Sequence, residues 1–566
     1  MNALQTAGVA GATTINVAAN TYWENPNILL AIPGTSAVNT VTIQGADTSN
    51  TIIRPAISPT NYYGVLLANC SFVTFRNFKI RRDEATSSSS SNILLQMRAT
   101  TSCNVRRNSL EYRGAAHAIG GTASTSGNYS GLALSGSTSN FSGMTTGTPA
   151  NLCNIDSNSL DFANYYGIIS AVTTAANTNT FSRNTIINQY FYPLYIQGTQ
   201  GFKILNNFIS QRITLSSTTG IYVSGGTLTT TTMEIGSNII QNAGQYGIRV
   251  LLGSNPTNAK GSIYNNMISG FRQANGAGIY LQTSYWKVAH NSINYNFAGS
   301  NSYGIYVSSF GEVNNSVRIW ANNIAFPNSG SYTSWPIYIT SISNQLVDTM
   351  DYNNIFTAAT PPNMAYLGGT TLTTASNYKL VFPAMGIGAN TTNTNPNYIS
   401  ATDLHTRVTC NNSITTGMGA NLYRTTDIDG DAVGSTPDVG ADESTNGYAD
   451  EVGVVSITTP GSPIIPGSGA PCQVVIKNYG TATWNTGNIS YSNNGATTTE
   501  AIVALGLAPC ASTNYTFATN PTMVAGNNVF KVFTDAPNGA MDSVVNNDTA
   551  QFNLCGAMAG TYTIDP

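Results

Sequence analysis

Carboxylates are scarce in this chain, so the places where they gather are where its chemistry would sit. Asp and Glu total 25 in 566 residues. The densest group is the run DIDGD, holding Asp427, Asp429 and Asp431, with Asp438, Asp442 and Glu443 close behind. Oxygen ligands alternating around a glycine turn suit calcium, as in the opening of an EF-hand loop. The run predicts a calcium site on Asp427, Asp429, Asp431, Asp438 and Asp442, although the twelfth position from Asp427, where a bidentate Glu would be needed, holds Asp438. An Asp-Gly turn bonding local backbone is the competing reading. A second group joins Arg81, Arg82, Asp83 and Glu84 to Glu111 in the next stretch, with Arg106, Arg107 and Arg113 nearby and Asp156 and Asp161 beyond. Cleaving a sugar polymer takes calcium-holding acids with a basic Arg or Lys, or paired carboxylates a few ångströms apart. Arg81, Asp83, Glu84 and Glu111 come nearest to such a set, and a solvated, salt-bridged turn would use the same residues.

His117, His290 and His405 share no motif, and His290 reads as a turn residue. No nucleophile elbow, phosphate loop or HExxH occurs. Tyr165, Tyr166, Tyr190, Tyr192, Tyr195, Tyr222, Tyr246, Tyr280 and Tyr306 recur beside glycines. They are either packing stacks or, with Tyr222 and Tyr280 facing out, a glycan-binding row.

The elements that would position these residues are written in a repeat. Asn followed by a small residue and an aliphatic one returns at Asn158, Asn184, Asn207, Asn238, Asn266, Asn291, Asn323 and Asn354, in steps of 26, 23, 31, 28, 25, 32 and 31. A second phrase, such as TGIYVS at Gly220 and YGIYVS at Gly304, keeps step with it. Two short strands per period, without helical spacing, predict a β-solenoid. Stacked coils would bring those asparagines into a structural ladder, each amide bonding the next coil. Loops rich in Ser, Thr and Gly are expected at Ala85–Ser91 and Gly120–Ala150, and a short helical cap at Met1–Ala7.

From Val452 the pattern changes to seven short strands with NNG and PNG turns and Trp484 as a core aromatic, which fits an immunoglobulin-like sandwich. Cys70, Cys103 and Cys153 read as small core residues, while one disulfide is expected among Cys472, Cys510 and Cys555. Charged residues make up only 8% of the chain against 41% hydrophobic, and the net charge is −3. That balance supports a folded core under a neutral polar surface and speaks against nucleic acid as a partner. No apolar run is long enough to insert into a membrane.

The opening NALQTAGVAGATTINVAANTY, the Asn-ladder coils and the closing DIDGD…PDVGADE together resemble the pectate-lyase-like right-handed parallel β-helix modules of very large surface proteins exported by outer-membrane bacteria. The following VGVVSI…CQVVIKNYGTATW…SYSNNG resembles the immunoglobulin-like, adhesion-related domain beside them. The end, CGAMAGTYTIDP, is similar to the strand that opens such a β-helix, so the two ends would join if copies lay head to tail. The resemblance implies an all-β chain, a right-handed parallel β-helix followed by a C-terminal immunoglobulin-like sandwich. Its parts are 1–12 as cap or continuation, 13–426 as β-helix, 427–451 as Asp-rich closing loop and linker, 452–555 as sandwich, and 556–566 as the start of a following module. The function implied is that of a structural or adhesive repeat, extracellular or at the cell surface, whose partners are neighbouring copies and surface glycans. Glycan binding and polysaccharide cleavage are the alternatives, and Ca2+ is the only cofactor expected.

Overall fold

The computed structural model describes residues 2–28, 31–56, 62–83, 92–113, 129–138, 147–161, 165–225, 233–252, 261–282, 286–297, 301–308, 317–327, 334–340, 347–358, 362–374, 388, 390–406, 424–444, 449–461, 464–467, 469, 471–542 and 547–556. They form two compact units, one of the described residues between 2 and 406 with 424–443 and one of those between 444 and 556.

The first unit is a β-solenoid. Its strands make a 23-stranded sheet and a 12-stranded sheet, parallel throughout apart from a closing hairpin of Ala365–Leu367 with Thr370–Leu372. Each regular coil contributes three strands, as in Thr219–Ser224, Met233–Gly236 and Ile239–Gln241. The expectation of two strands per period missed the one just before each Asn phrase. Only a sharp bend, without any loop residues, separates it from the next strand, so the two read as one phrase in the sequence.

Side chains point alternately to the two faces of each strand, and inward positions stack on their equivalents in the next coil. One column runs Ile204, Ile235, Ile263, Val288 and Ile319. A second runs Ile221, Ile248, Ile279, Ile305 and Ile337, and a third Ile209, Ile240, Ile268, Ile293 and Ile324. All of these side chains are buried. Three continuous aliphatic columns meet along the axis and form one extended core, stabilised by roughly 1.5–3 kcal/mol for each fully buried aliphatic side chain. The recurring glycines follow from this packing. A Cβ on Gly247 would lie 2.3 Å from the Ile268 methyl and 2.6 Å from the Gly278 carbonyl oxygen of the next coil.

Helix Asn2–Ala7 stands at the start, with Leu4 and Val9 packed on the first coils. Within the stretch expected to be a loop, Tyr129–Ser135 is instead a full rung, with Leu132 stacked between Leu95 and Ile168. Its serine- and glycine-rich flanks disguise an inward-facing strand. The expected loop 85–91 lies outside the described residues.

The second unit pairs a three-stranded antiparallel sheet (Val452–Thr459, Gln473–Asn478, Ser512–Thr516) with a four-stranded one (Ala496–Ile502, Gly487–Asn493, Gly526–Asp535, Thr549–Gly556). Trp484 is buried in its core, its indole N–H donating to the Thr486 carbonyl at 2.9 Å. Cys472 is a free buried thiol, whereas Cys510 is disulfide-bonded. Cys70, Cys103 and Cys153 are buried free thiols in the solenoid core.

Candidate functional site

The repeated asparagines are consumed by coil-to-coil bonding. The residue before each ladder Asn adopts the left-handed conformation, from Arg107 (φ 55) through Ser237 (φ 53) to Tyr352 (φ 56), and so turns the chain between two faces of the solenoid. The Asn that follows points inward. Asn238 accepts from Asn207 N–H at 3.0 Å and from its amide at 2.9 Å, and donates to the Ile204 carbonyl and to Asn266 Oδ1, both at 2.9 Å. The same pattern links Asn108, Asn158, Asn184, Asn207, Asn238, Asn266, Asn291, Asn322 and Asn353. At the last two rungs the ladder residue is Asn322 and Asn353, one place before the Asn323 and Asn354 expected. Those two sit in the following strands, where Asn354 donates to Asn323 Oδ1 at 3.0 Å. His290 occupies the left-handed corner of its coil, fully buried, and burial holds its pKa down to about 3.

The Asp-rich segment is a latch lying back along the solenoid. Asn265 donates to the Thr426 carbonyl at 2.6 Å, Gly440 N–H to the Ala321 carbonyl at 2.9 Å, and Ala441 N–H to Ser292 Oγ at 3.0 Å. Leu404 and Ala441 cover Met267 there. Asp427 organises the turn itself. Its Oδ1 accepts the N–H groups of Asp429, Gly430 and Asp431 at 2.8–2.9 Å, and its Oδ2 that of Glu443 at 3.0 Å. Arg424 is buried, donates to Asn265 Oδ1 and the Gly440 and Asp438 carbonyls, and forms an ion pair with Glu443. Asp438 N–H in turn donates to Glu443, and Asp431 is exposed.

Of the five acids predicted to share a metal, only Asp429 and Asp442 converge, together with His405, with one ligand atom from each of the three within 4.8 Å of the others. The His405 ring lies between two carboxylates, Nδ1 on Asp403 and Nε2 3.1 Å from Asp429. Asp442 accepts Thr406 N–H at 2.7 Å and its hydroxyl at 3.0 Å. Burial disfavours the imidazolium, but the Asp403 bond and the charges of Asp429 and Asp442 outweigh it and raise the His405 pKa.

The charged coils lie on the outer face of the short sheet. Glu111 stands beside Arg81 on one side and Asp161 on the other. Arg113 binds Glu111 at 2.7 Å and Asp161 at 3.2 Å, and Lys79 reaches Glu111 at 3.4 Å. Asp83 is held by Arg54 and by Arg81, the latter at 2.8 Å. Glu84 and His117 lie outside the described residues. Trp23, Arg54, Arg81, Arg82 and Asp83 line a cleft of about 290 Å3. Trp23 is 74% exposed, with the Arg54 guanidinium 5.1 Å from its ring centroid. Among the described residues, three guanidiniums face one carboxylate there.

The tyrosines form an outward row. Tyr195, Tyr222, Arg249, Tyr280, Tyr306, Tyr338 and Tyr366 stack in register, one per coil. Centroids are 4.7 Å apart for Tyr280 and Tyr306, 5.0 Å for Tyr306 and Tyr338, and 4.5 Å for Tyr338 and Tyr366, with ring planes within 9°. Arg249 takes a tyrosine's place, 5.4 Å from the Tyr222 centroid and 5.5 Å from that of Tyr280. Ring faces within the row are covered by neighbours, which leaves edges and hydroxyls for solvent. Burial raises the pKa of Tyr306 to about 12.

Sequence reasoning pointed to Arg81, Arg82 and Asp83 but not to Trp23 and Arg54, because these residues belong to three successive coils whose early repeats are degenerate. It also missed Asp403 beside His405, although the two lie two residues apart.

No protein-family model matches the chain, and no curated protein matches it. Among solved structures it is similar to the PL6-family alginate lyase AlyGC (12% identity, TM-score 0.34, 66% of this chain), and spans about half of that enzyme's length, 52%. It is also similar to an alginate lyase from a Paenibacillus species (12%, TM-score 0.26, 65% of this chain and 95% of that one). A third similar structure is the enzymatically active domain of bacteriophage CBA120 tailspike protein 2 (12%, TM-score 0.28, 98% of this chain and 73% of that one).

Proposed function

We propose that this chain is a non-catalytic structural and adhesive module of a large extracellular bacterial surface protein, a parallel β-helix followed by an immunoglobulin-like sandwich, with neighbouring copies among its partners. One observation carries the reading. In the charged coils Asp83, Glu111 and Asp161 are each neutralised by arginine or lysine of their own or an adjacent coil. These carboxylates are committed to ion pairs that hold neighbouring coils together. The periodic Asn, Gly, aliphatic and Tyr residues, meanwhile, are engaged in joining coil to coil. Protease treatment of intact producing cells, followed by immunoblotting for the chain, tests the placement. Loss of the signal from intact cells is expected; a signal found only in the protease-protected cytosolic fraction contradicts it.

Glycan binding is the second reading, and the Trp23 cleft favours it. An exposed indole offers a face for a sugar ring, and the surrounding guanidiniums suit acidic substituents. The row containing Tyr222 and Tyr280 offers hydroxyls and edges instead. Array binding that W23A abolishes and Y280A leaves intact would support the cleft; the reverse pattern would move the contact to the row. Calcium at the latch belongs with this proposal, carried by the convergence of Asp429 and Asp442, and a calcium titration unchanged by D429A would remove it.

A further inference from the structure

The second unit contains a group of acids that its fold does not use for strand pairing. Glu451 immediately precedes strand Val452–Thr459, while Asp542 and Asp548 lie in the connection between Gly526–Asp535 and Thr549–Gly556, Asp548 at its end. All three are buried, with 4%, 6% and 8% of their surface exposed. One carboxylate oxygen from each lies within 4.8 Å of the other two.

Local bonding accounts for part of this arrangement. Val452 N–H donates to Asp542 Oδ2 at 3.2 Å, the Asn547 amide to Glu451 Oε1 at 2.9 Å, and Val454 N–H to the Asn547 carbonyl at 3.1 Å. Asp548 is not accounted for. Its Oδ1 is buried without a hydrogen-bond partner, and its carboxylate abuts that of Asp542, with the charge of Asp535 nearby. Thr534, whose N–H donates to the Asp548 carbonyl, also keeps its hydroxyl buried and unpartnered. Two carboxylates in contact under low solvent access need a shared proton or a cation between them.

We propose that Glu451, Asp542 and Asp548 form a divalent-cation site of the calcium class, clamping the first strand of the second unit to its last two. Calcium holds oxygens at 2.3–2.6 Å, so oxygens on opposite sides of one ion are separated by about 4.8 Å. The three oxygens lie close enough together to share one such ion. An all-carboxylate set selects a hard cation over zinc or copper.

Protons compete with a cation for these carboxylates, so calcium binding weakens as pH falls.

Unfolding of the full chain at pH 8, in chelator and in calcium chloride, tests the site. Calcium at a hundredfold excess over its dissociation constant should raise the second unit's midpoint by on the order of 10 °C. The gap between the two conditions should shrink toward pH 5. D548N should raise the chelator midpoint by relieving charge repulsion and abolish the calcium response; E451Q provides an independent check at the opposite ligand. Equal midpoints of the second unit in wild type, with and without calcium, would overturn the proposal and leave a proton-sharing cluster. A calcium-dependent rise of the second unit's midpoint that persists in both variants would also overturn it and place the responsible ion elsewhere.

Discussion

Single residues in the solenoid do their work by register, and the ladder makes that testable. Asn238 receives two hydrogen bonds from the coil before and gives one to the coil after. N238A would leave the buried Asn207 N–H without its acceptor and take one of three from the Asn207 amide, and should cost about 2–3 kcal/mol in denaturant unfolding. N322A should behave alike, whereas N323A should cost about 1 kcal/mol, because Asn323 stands outside the ladder. Equal losses at 322 and 323 would show the assignment to be wrong. The same distinction marks what the sequence could reveal. Every ladder Asn precedes an inward Leu or Ile by two residues, as Asn238 does Ile240 and Asn353 does Ile355. In the phrases ANNIA and DYNNI that spacing picks the first Asn, and spacing between repeats alone does not. His405 adds a pH dependence. Its raised pKa comes from Asp403, Asp429 and Asp442 acting against burial, so its stabilising share is present below about 6.5, the unfolded value. It is lost as pH rises through the higher folded value. The solenoid's melting temperature should fall across that window, and H405Q should remove the contribution.

Strands and coils carry the periodicity that made the fold legible. The Gly phrases and Asn phrases mark two of the three strands in each coil, and the third was hidden because one left-handed residue, such as Ser237, makes the corner without any loop. The rung Tyr129–Ser135 was hidden for a different reason, since its inward Leu132 and Leu134 lie between Ser- and Gly-rich flanks. The site residues were less legible than the fold. Trp23, Arg54 and Arg81 are brought together only by stacking, and Glu451 reaches Asp542 only across strand pairings nearly a hundred residues apart. Close stacking also gives the glycines their meaning. G247A would drive a methyl into Ile268 and the Gly278 carbonyl, and the cost should be about 3 kcal/mol in chemical denaturation. A loss below about 1 kcal/mol would mean that the coils have room to spare.

At the scale of the whole molecule, two units with separate cores share one chain, and the acids within each are largely committed to holding segments together. In the solenoid, Asp427 organises the latch and Glu443 holds the buried Arg424, while Asp83, Glu111 and Asp161 are ion-paired on the coils. The fold is thereby read as a product in its own right, a stiff surface for contact. Product release from a panel of acidic and neutral polysaccharides, followed by ultraviolet absorbance for unsaturated ends and by reducing-end assay with the full chain and calcium, tests this claim most directly. No release above the protein-free control is expected for any polymer, including those the chain retains. Sustained release that disappears in E111Q or D83N would contradict it and make the charged coils an active site.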